Sequence, residues 1–76
     1  MGVPLILRSA YRHDICEADM LHAFRNVLNF DVQDEGFVMF IGPARDGTLL
    51  EVGVVDADEG PVIVHAMRAR PKYQPR

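Results

Sequence analysis

The Asp46-Gly47 pair lies between two apolar runs, and this arrangement restricts the fold more than any other feature of the chain. An Asp-Gly pair in such a place is a strong hairpin signal. The run before it, residues 37–41, has the length and β-propensity of a strand, and the run after it, residues 48–56, alternates in side-chain character. A second turn, rich in acidic residues with Gly and Pro, leads to a last strand at residues 62–67. We therefore predict a meander of three antiparallel strands.

Apolar residues upstream of this meander recur at helical spacing. Met20 and Phe24 are four residues apart and would lie on one face of a helix. Cys16 and Asp19 have the spacing of a capping box, and acidic residues in a first turn are favoured by the helix dipole. The pattern predicts a helix over about residues 17–28.

The order of these elements predicts the fold class. We expect a single small α+β domain, residues 1–76, with a basic tail at residues 68–76. The N-terminal helix would pack on a three- to four-stranded antiparallel β-meander, the fourth strand being an apolar stretch at residues 3–7. The segment at residues 31–36 is polar and ends in Gly, which is typical of a loop or the start of a strand.

Strand parity predicts which side chains share a face of the sheet. Glu51 and Gly53 would lie together on one face, and parity places Ile63, His65 and Met67 on the same face of the last strand. We expect this face to be the more polar one and to carry the function. A carboxylate beside an imidazole is a general-base arrangement, because the carboxylate orients the ring. The alternative is a half-buried histidine that is hydrogen-bonded to its sheet neighbours.

Size limits how the fold can be stabilised. A chain of 76 residues has a thin margin of stability and is usually reinforced by disulfides, a metal or oligomerisation. The single cysteine, Cys16, excludes an internal disulfide and fits a reducing cytoplasm. The spacing of His13, Cys16 and His22 fits no metal site, and no cofactor is expected. A homodimer or a bound partner remains, and we expect a cytoplasmic protein without membrane association.

Charge is distributed unevenly along the chain. The net charge is −3, but residues 1–67 contain four arginines against eleven acidic residues. Residues 68–76 contain four basic residues and no acidic one: Arg68, Arg70, Lys72 and Arg76. With Tyr73 beside them, these cations suit phosphate pairing and base stacking in a single-stranded nucleic acid. A tail that docks on the acidic body, or a solvated terminus, is the alternative.

Three segments, taken in order, resemble one family. Residues 12–23 follow the pattern R-H-x-I/V-x-x-x-D-hydrophobic-x-H-A, residues 41–52 follow I-G-x-x-x-D-G-x-L-L-E-V, and residues 62–73 follow V-I-x-H-A-x-x-A-R-P-K-Y. The set resembles the short BrnT-like toxins of bacterial type II toxin–antitoxin modules and, more distantly, the RelE-like ribonuclease toxins. Asp14 stands where the family favours Gly, and Cys16 stands where it favours Ser.

The resemblance implies a compact sheet with packed helices and a cytoplasmic endoribonuclease. It implies metal-independent cleavage of RNA and neutralisation by a cognate antitoxin. The residues expected to act in catalysis are His65, Arg68, Arg70 and Tyr73, those expected to bind RNA are Lys72, Arg12, His13 and Arg45, and Glu51 is expected to support them. An alternative function is a non-catalytic interaction module, which would bind a protein partner through an exposed sheet edge and the basic tail.

Overall fold

A computed structural model of the chain describes residues 3–74. One α-helix lies on a five-stranded sheet, with one short 3₁₀ turn before the helix and a second after the last strand. The elements are β1 (Leu5–Ile6), a 3₁₀ turn (Arg8–Tyr11), α1 (Glu17–Arg25), β2 (Asn29–Asp34), β3 (Phe37–Pro43), β4 (Leu49–Ala57), β5 (Gly60–Arg68) and a second 3₁₀ turn (Pro71–Tyr73).

The sheet has the strand order β1-β5-β4-β3-β2. Strands β2 to β5 form an antiparallel meander, whereas β1 pairs parallel with β5, with Leu5 opposite Val62. The α+β class is therefore as predicted, but the expected three- to four-stranded antiparallel sheet is wrong in strand number and in the direction of β1. Two parallel strands must be joined by a long connection, and here that connection contains α1 and strands β2 to β4.

Strand β2 replaces the loop or strand start expected at residues 31–36. All six of its residues are exposed, so its apolar residues Phe30 and Val32 do not mark a buried face. Helix α1 begins where predicted but ends three residues early, at Arg25. The Asn26 side chain donates to the His22 carbonyl at 2.8 Å, and the Leu28 N–H already donates to Ile41 of β3. The chain thus leaves the helix for the sheet sooner than periodicity indicates.

The core lies between α1 and one face of the sheet. Helix residues Met20, Ala23 and Phe24 are buried against the central strands. Each fully buried aliphatic or methionine side chain contributes about 1.5–3 kcal/mol to this packing. The buried strand residues on this face are Leu50, Val52, Val54, Ile63 and Ala66, and Ala10 from the first 3₁₀ turn completes the cluster.

Gly42 allows the helix to approach β3 closely. A Cβ atom at this position would collide with the backbone carbonyl of Ala23 and lie 3.1 Å from the carbonyl oxygen of Asn26. The neighbouring Pro43 carbonyl lies 2.7 Å from Nδ1 of His22, which fixes the helix at this distance. Because both clashing groups are backbone atoms, they can move only if the whole helix shifts.

We expect Gly42→Ala to lower the free energy of unfolding by about 1–3 kcal/mol, since overpacking would displace α1 from the sheet. Urea denaturation measures the change. Gly36→Asn is the control, because a Cβ there meets nothing within 4 Å and asparagine tolerates its positive φ of +76°. Equal stabilities of the two variants would contradict the close helix contact.

A β-bulge in β5 changes the parity of that strand. Gly53 pairs with His65 but Val54 pairs with Ile63, so one extra residue, Val64, is accommodated between them. Ile63 therefore turns into the core and is fully buried, while His65 stays on the opposite face. The prediction that Ile63 shares a face with His65 is wrong for this reason. The prediction that His65 and Glu51 lie on one face is confirmed, since His65 Nε2 is 3.1 Å from Oε1 of Glu51.

Among residues 3–74, no helix is both long enough and apolar enough to cross a membrane.

Candidate active site

Glu51 is the only charged residue among those described that is buried, and its side chain has 0% exposure. Its position near the start of β4, opposite Met67 near the end of β5, puts the carboxylate under the segment that follows β5. Arg70 binds it three ways: the backbone N–H donates to Oε2 at 3.0 Å, Nε lies 3.0 Å from both oxygens, and the terminal guanidinium nitrogen lies 2.9 Å from Oε1. This combination of contacts satisfies a charge that would otherwise be costly to bury.

His65 completes the environment of this carboxylate. Its Nε2 lies 3.1 Å from Oε1 of Glu51, and its side chain is 28% exposed. Gly53, opposite on β4, makes room for the ring, because a Cβ there would lie 3.0 Å from His65 Cβ and from the Phe37 ring. An ionised carboxylate only accepts hydrogen bonds, so Nε2 must carry the proton and Nδ1 is left as the basic nitrogen of the neutral ring.

The charge state of Glu51 follows from its neighbours. Burial acts to raise the pKa of Glu51, but the hydrogen bonds from the Arg70 side chain and backbone, together with His65, outweigh it. The pKa therefore lies below its ordinary value of 4.5. The same hydrogen bond and charge raise the pKa of Arg70. At neutral pH the site is an ion pair with an imidazole attached to its carboxylate.

A second imidazole lies beside the first. The rings of His13 and His65 are 5.7 Å apart between centroids and inclined by 73°, an edge-to-face contact. His13 is exposed and follows the first 3₁₀ turn, which is tied to β5 by a 2.7 Å hydrogen bond from the Ser9 hydroxyl to the Val64 carbonyl. This pairing of two histidines has no signal in the sequence, because it depends on how the N-terminal segment crosses the edge of β5.

Asp14 turns the chain directly after His13. It is the only non-glycine residue among those described with a positive φ, +62°. Left-handed backbone costs an ordinary L-residue about 1–2 kcal/mol, Asp and Asn less, and Gly least.

We expect stability to follow the order Gly, Asp, Val at position 14. Asp14→Gly should match or exceed the native protein, and Asp14→Val should lose about 1–2 kcal/mol because a β-branched residue fits poorly at φ +62°. Thermal and urea unfolding of the three proteins provide the measurement. A valine variant as stable as the glycine variant would show that this turn is not held in the left-handed region.

Arg68 and His13 share an open cavity next to the two histidines. The cavity measures about 430 Å³ and also has Leu50 and Met67 in its wall. Arg68 ends β5 and is exposed, so its guanidinium is available to an anion there. Three carboxylates, Asp14, Asp19 and Asp46, line the same cavity and reduce its positive potential.

Tyr73 and Lys72 lie away from His65. The Tyr73 hydroxyl donates to Asp31 on β2 at 3.0 Å, and the Lys72 ammonium is 4.9 Å from the centre of the tyrosine ring. Strand β2 is three strands from β5, roughly 14 Å at a spacing of about 4.8 Å per strand. The segment after β5 thus folds back across the sheet face, and docking on the acidic body is confirmed for Arg70 and Tyr73. Arg76 lies outside the described residues.

Arg45 and Arg12, both predicted to bind RNA, lie outside the site formed by Glu51, His65 and Arg70. The Arg45 side chain and backbone N–H both bind Oδ1 of Asp19, at 2.7 and 3.1 Å, and in this order they lower the pKa of Asp19 from 3.8 to about 2. The Cys16 thiol donates to the other oxygen of Asp19 at 3.4 Å. Cys16 is the N-cap of α1, as predicted, but its side chain makes no cap hydrogen bond, so the capping box is not formed. Arg12 is exposed at the end of the first 3₁₀ turn.

The clamp of Arg70 on Glu51 is the feature that sequence reasoning missed. Glu51 lies between the buried residues Leu50 and Val52 in a strand with neighbours on both sides. A carboxylate at such a place needs a cation, and this requirement could have pointed to the basic residues after β5.

Comparison of the chain with protein-family models, with curated proteins and with solved structures finds no match. The fold and the site therefore define its class by themselves. It is an α+β domain in which a buried glutamate holds a histidine and an arginine on the sheet face opposite the helix.

Proposed function

We propose that the protein is a metal-independent endoribonuclease, the toxin of a type II toxin–antitoxin module. One observation carries the proposal: His65 binds a buried carboxylate through Nε2 and lies in edge-to-face contact with a second imidazole, that of His13. Two imidazoles beside an arginine are sufficient for RNA cleavage by attack of the 2′-hydroxyl. The resemblance to BrnT-like toxins supports the same chemistry.

His65 is the base in this mechanism. Its Nδ1 takes the proton of the ribose 2′-hydroxyl while that oxygen attacks the adjacent phosphorus. The resulting imidazolium is stabilised by Glu51 at 3.1 Å, and the carboxylate also holds the ring in the tautomer that leaves Nδ1 free. His13, protonated, donates its proton to the departing 5′-oxygen. The products are a 2′,3′-cyclic phosphate and a 5′-hydroxyl, with no proton gained or lost overall.

Arg68 and Arg70 stabilise the five-coordinate phosphorane that forms when the 2′-oxygen attacks the phosphorus. Arg68 reaches the cavity that His13 lines, and the Arg70 side chain remains 47% exposed although it binds Glu51. Positive charge aimed at the developing oxyanion is a large term in such reactions. Tyr73 with Lys72 above its ring forms a stacking surface further along the strand of RNA.

The remaining basic residues are proposed to contact the RNA backbone. Arg12 adjoins His13 and is exposed, so it can take a flanking phosphate. Arg45 is engaged by Asp19, and its contact would require that pair to open. Because Tyr73 donates to Asp31 in this structure, we assign the leaving-group proton to His13 and stacking to Tyr73.

The partner proposed with this activity is a cognate antitoxin, and the compartment is the cytoplasm. The excess of acidic residues in residues 1–67 suits a basic antitoxin. A free and exposed thiol at Cys16 fits a reducing compartment. A homodimer is compatible with the same activity.

The test is cleavage of a labelled single-stranded RNA by the purified protein in the presence of EDTA. We expect products with 2′,3′-cyclic phosphate ends, and growth arrest when the protein is expressed without an antitoxin. RNA that stays intact with a correctly folded protein would reject the catalytic function. It would leave the interaction module, which the exposed edge of β2 favours.

A further inference from the structure

Strand β2 forms one edge of the sheet and is exposed along its whole length. All six residues, Asn29–Asp34, are exposed, and none of the described strands lies on its outer side. The opposite edge is formed by β1, which has only two residues. Natural proteins usually shorten or cover a long edge strand, because its free backbone groups pair readily with another chain.

Hydrogen-bond alternation shows which backbone groups of β2 point outward. The Asp56 N–H donates to the Gly36 carbonyl at 2.9 Å, so alternate β3 residues, Val38 and Phe40, also pair with β4. Met39 and Ile41 therefore pair with β2, opposite Asp31 and Asn29. The backbone groups of Phe30 and Val32 are left facing outward.

A side chain already occupies one of these outward groups. The Phe30 N–H donates to Oδ1 of the adjacent Asn29 at 2.9 Å, in the place of a carbonyl from a neighbouring strand. A local side-chain contact of this kind is easily exchanged for a backbone partner.

Apolar side chains belong to the same two residues. Phe30 and Val32 are each 62% exposed, and Leu28 before them is 71% exposed. Phe30 and Val32 lie on the helix side of the sheet, opposite Phe40 and Val38, whereas Leu28 lines a cavity with Ile41 and Tyr73 on the other face. Large apolar groups in a row next to free backbone groups are unusual on an edge exposed to water.

An apolar groove of about 380 Å³ continues this row across β3 and β4. Its wall includes Val38, Phe40, Val54 and Pro61. A segment bound along β2 could place apolar side chains against Phe30 and at the mouth of this groove.

We propose that β2 is a strand-addition site for an extended, basic segment of a partner protein, in which apolar residues alternate with Lys or Arg. The apolar residues would pack on Phe30 and Val32, and the cations would face the carboxylate side of the strand. Asp31, Asp34 and Glu35 supply that negative charge, and the sequence has no Lys or Arg between Arg25 and Arg45.

Charge also decides between a partner and a second copy of this chain. Symmetric antiparallel pairing of β2 with itself would bring two sets of Asp31 and Asp34 together, and β2 itself contains no cation to pair with them. Like charges across a strand pair are destabilising. A basic segment instead gains from the same residues, so it is the occupant that the edge favours.

This inference stands apart from RNA cleavage, because β2 is three strands from β5 and His65. Loss of cleavage in a His65 variant would leave binding at β2 unchanged. Loss of binding in a β2 variant would leave cleavage unchanged.

The probe is a synthetic peptide of about ten residues that alternates Lys and Val, a length that covers the strand. A peptide with Glu in place of Lys is its matched control. We expect amide shifts of ¹⁵N-labelled protein confined to residues 28–40, slowed hydrogen exchange at Val32, and weaker binding as salt rises. The Glu peptide should bind at least about tenfold more weakly.

Val32→Pro and Val32→Thr distinguish strand addition from non-specific binding. Proline removes an outward N–H without breaking the β3 ladder and should weaken the Lys peptide about tenfold or more. Threonine keeps the N–H and should stay within about threefold. Phe30→Ser provides a second variant if the proline protein is not folded, with the same expected loss.

Three results would overturn the proposal. They are equal binding of the Lys and Glu peptides, shifts that map away from β2, and a dimer of the free protein, seen by analytical ultracentrifugation, that the Phe30→Ser change dissociates.

Discussion

Glu51→Ala is expected to remove about 1.5–3 kcal/mol from the free energy of unfolding, the contribution of hydrogen bonds to a charged group, since the Arg70 side chain left behind is 47% exposed. The variant leaves the Arg70 guanidinium and the His65 ring without the acceptor that both share. A domain of 76 residues is stable by about 4–11 kcal/mol at roughly 0.05–0.15 kcal/mol per residue. The variant should therefore lose a sizeable share of its stability and unfold at a lower urea concentration than the native protein, as urea denaturation followed by circular dichroism would show.

Two control variants distinguish the loss of the buried Glu51 contacts from the loss of a negative charge alone. Glu51→Gln keeps the shape and one acceptor oxygen, so its loss should be smaller than that of alanine. Glu35→Gln removes a carboxylate from an exposed turn and should stay within about 0.5 kcal/mol of the native protein. An alanine variant as stable as the Glu35 control would mean that the clamp adds nothing to the fold.

The ion pair of Glu51 with Arg70 makes the stability of the protein sensitive to acid. The pKa of Glu51 is lower in the folded protein than its ordinary 4.5, so its contribution is fully present above that value. As the pH falls through the lowered pKa, the carboxylate takes up a proton and the contribution is lost. The difference in stability between the native protein and Glu51→Gln should therefore shrink below about pH 4.5, the ordinary pKa of this glutamate.

His65→Ala is expected to reduce RNA cleavage by about 10²–10⁴-fold, the usual contribution of a positioned general base. His13→Ala should lose a similar factor if it supplies the proton to the leaving oxygen. The double variant should fall little below either single one, because an acid and a base that act in one step are not additive. Initial rates on a labelled RNA, with folding checked by circular dichroism, give these numbers.

The pH profile distinguishes the two roles. A base must be neutral and an acid must be protonated, so the native rate should rise and then fall with pH. Removing His13 should abolish the fall at high pH, whereas a merely structural role would lower the whole curve. His22→Ala is the matched histidine control: that ring binds the Pro43 carbonyl under α1, so the change should lower stability but leave the cleavage rate of the folded protein at the native level. Full activity of His65→Ala would exclude the proposed mechanism.

The sequence predicts the meander well and its borders poorly. Strands β3 and β4 are bounded by strong turns and are rich in β-branched, aromatic and other apolar residues, so both are clear in the sequence. Strand β2 has its apolar residues in solvent, and β1 has only two residues, so neither has a periodic signal. The bulge at Val64 follows from packing and not from residue type, and for this reason the parity of Ile63 was mispredicted.

The candidate site was predictable only in its local part. Glu51 and His65 are on neighbouring strands, and the alternation of side chains is enough to bring them together. The contacts of Glu51 with Arg70 and of His65 with His13 depend on turns beyond the strands. Tyr73, grouped with the catalytic residues from the resemblance, is held at Asp31 by a path that no local pattern describes.

Because β1 pairs in parallel with β5, we expect His13 and His65 to lie in parts of the structure that differ in local stability. Leu5 pairs with Val62 at the far end of the chain, and this two-residue strand and the Ser9 contact hold the N-terminal segment to β5. Closing so long a loop is a late and entropically costly step. Local opening of this segment would separate His13 from His65 and would leave the hairpin with Glu51 and Arg70 assembled. One half of the proposed acid–base pair would thus be under separate conformational control from the other.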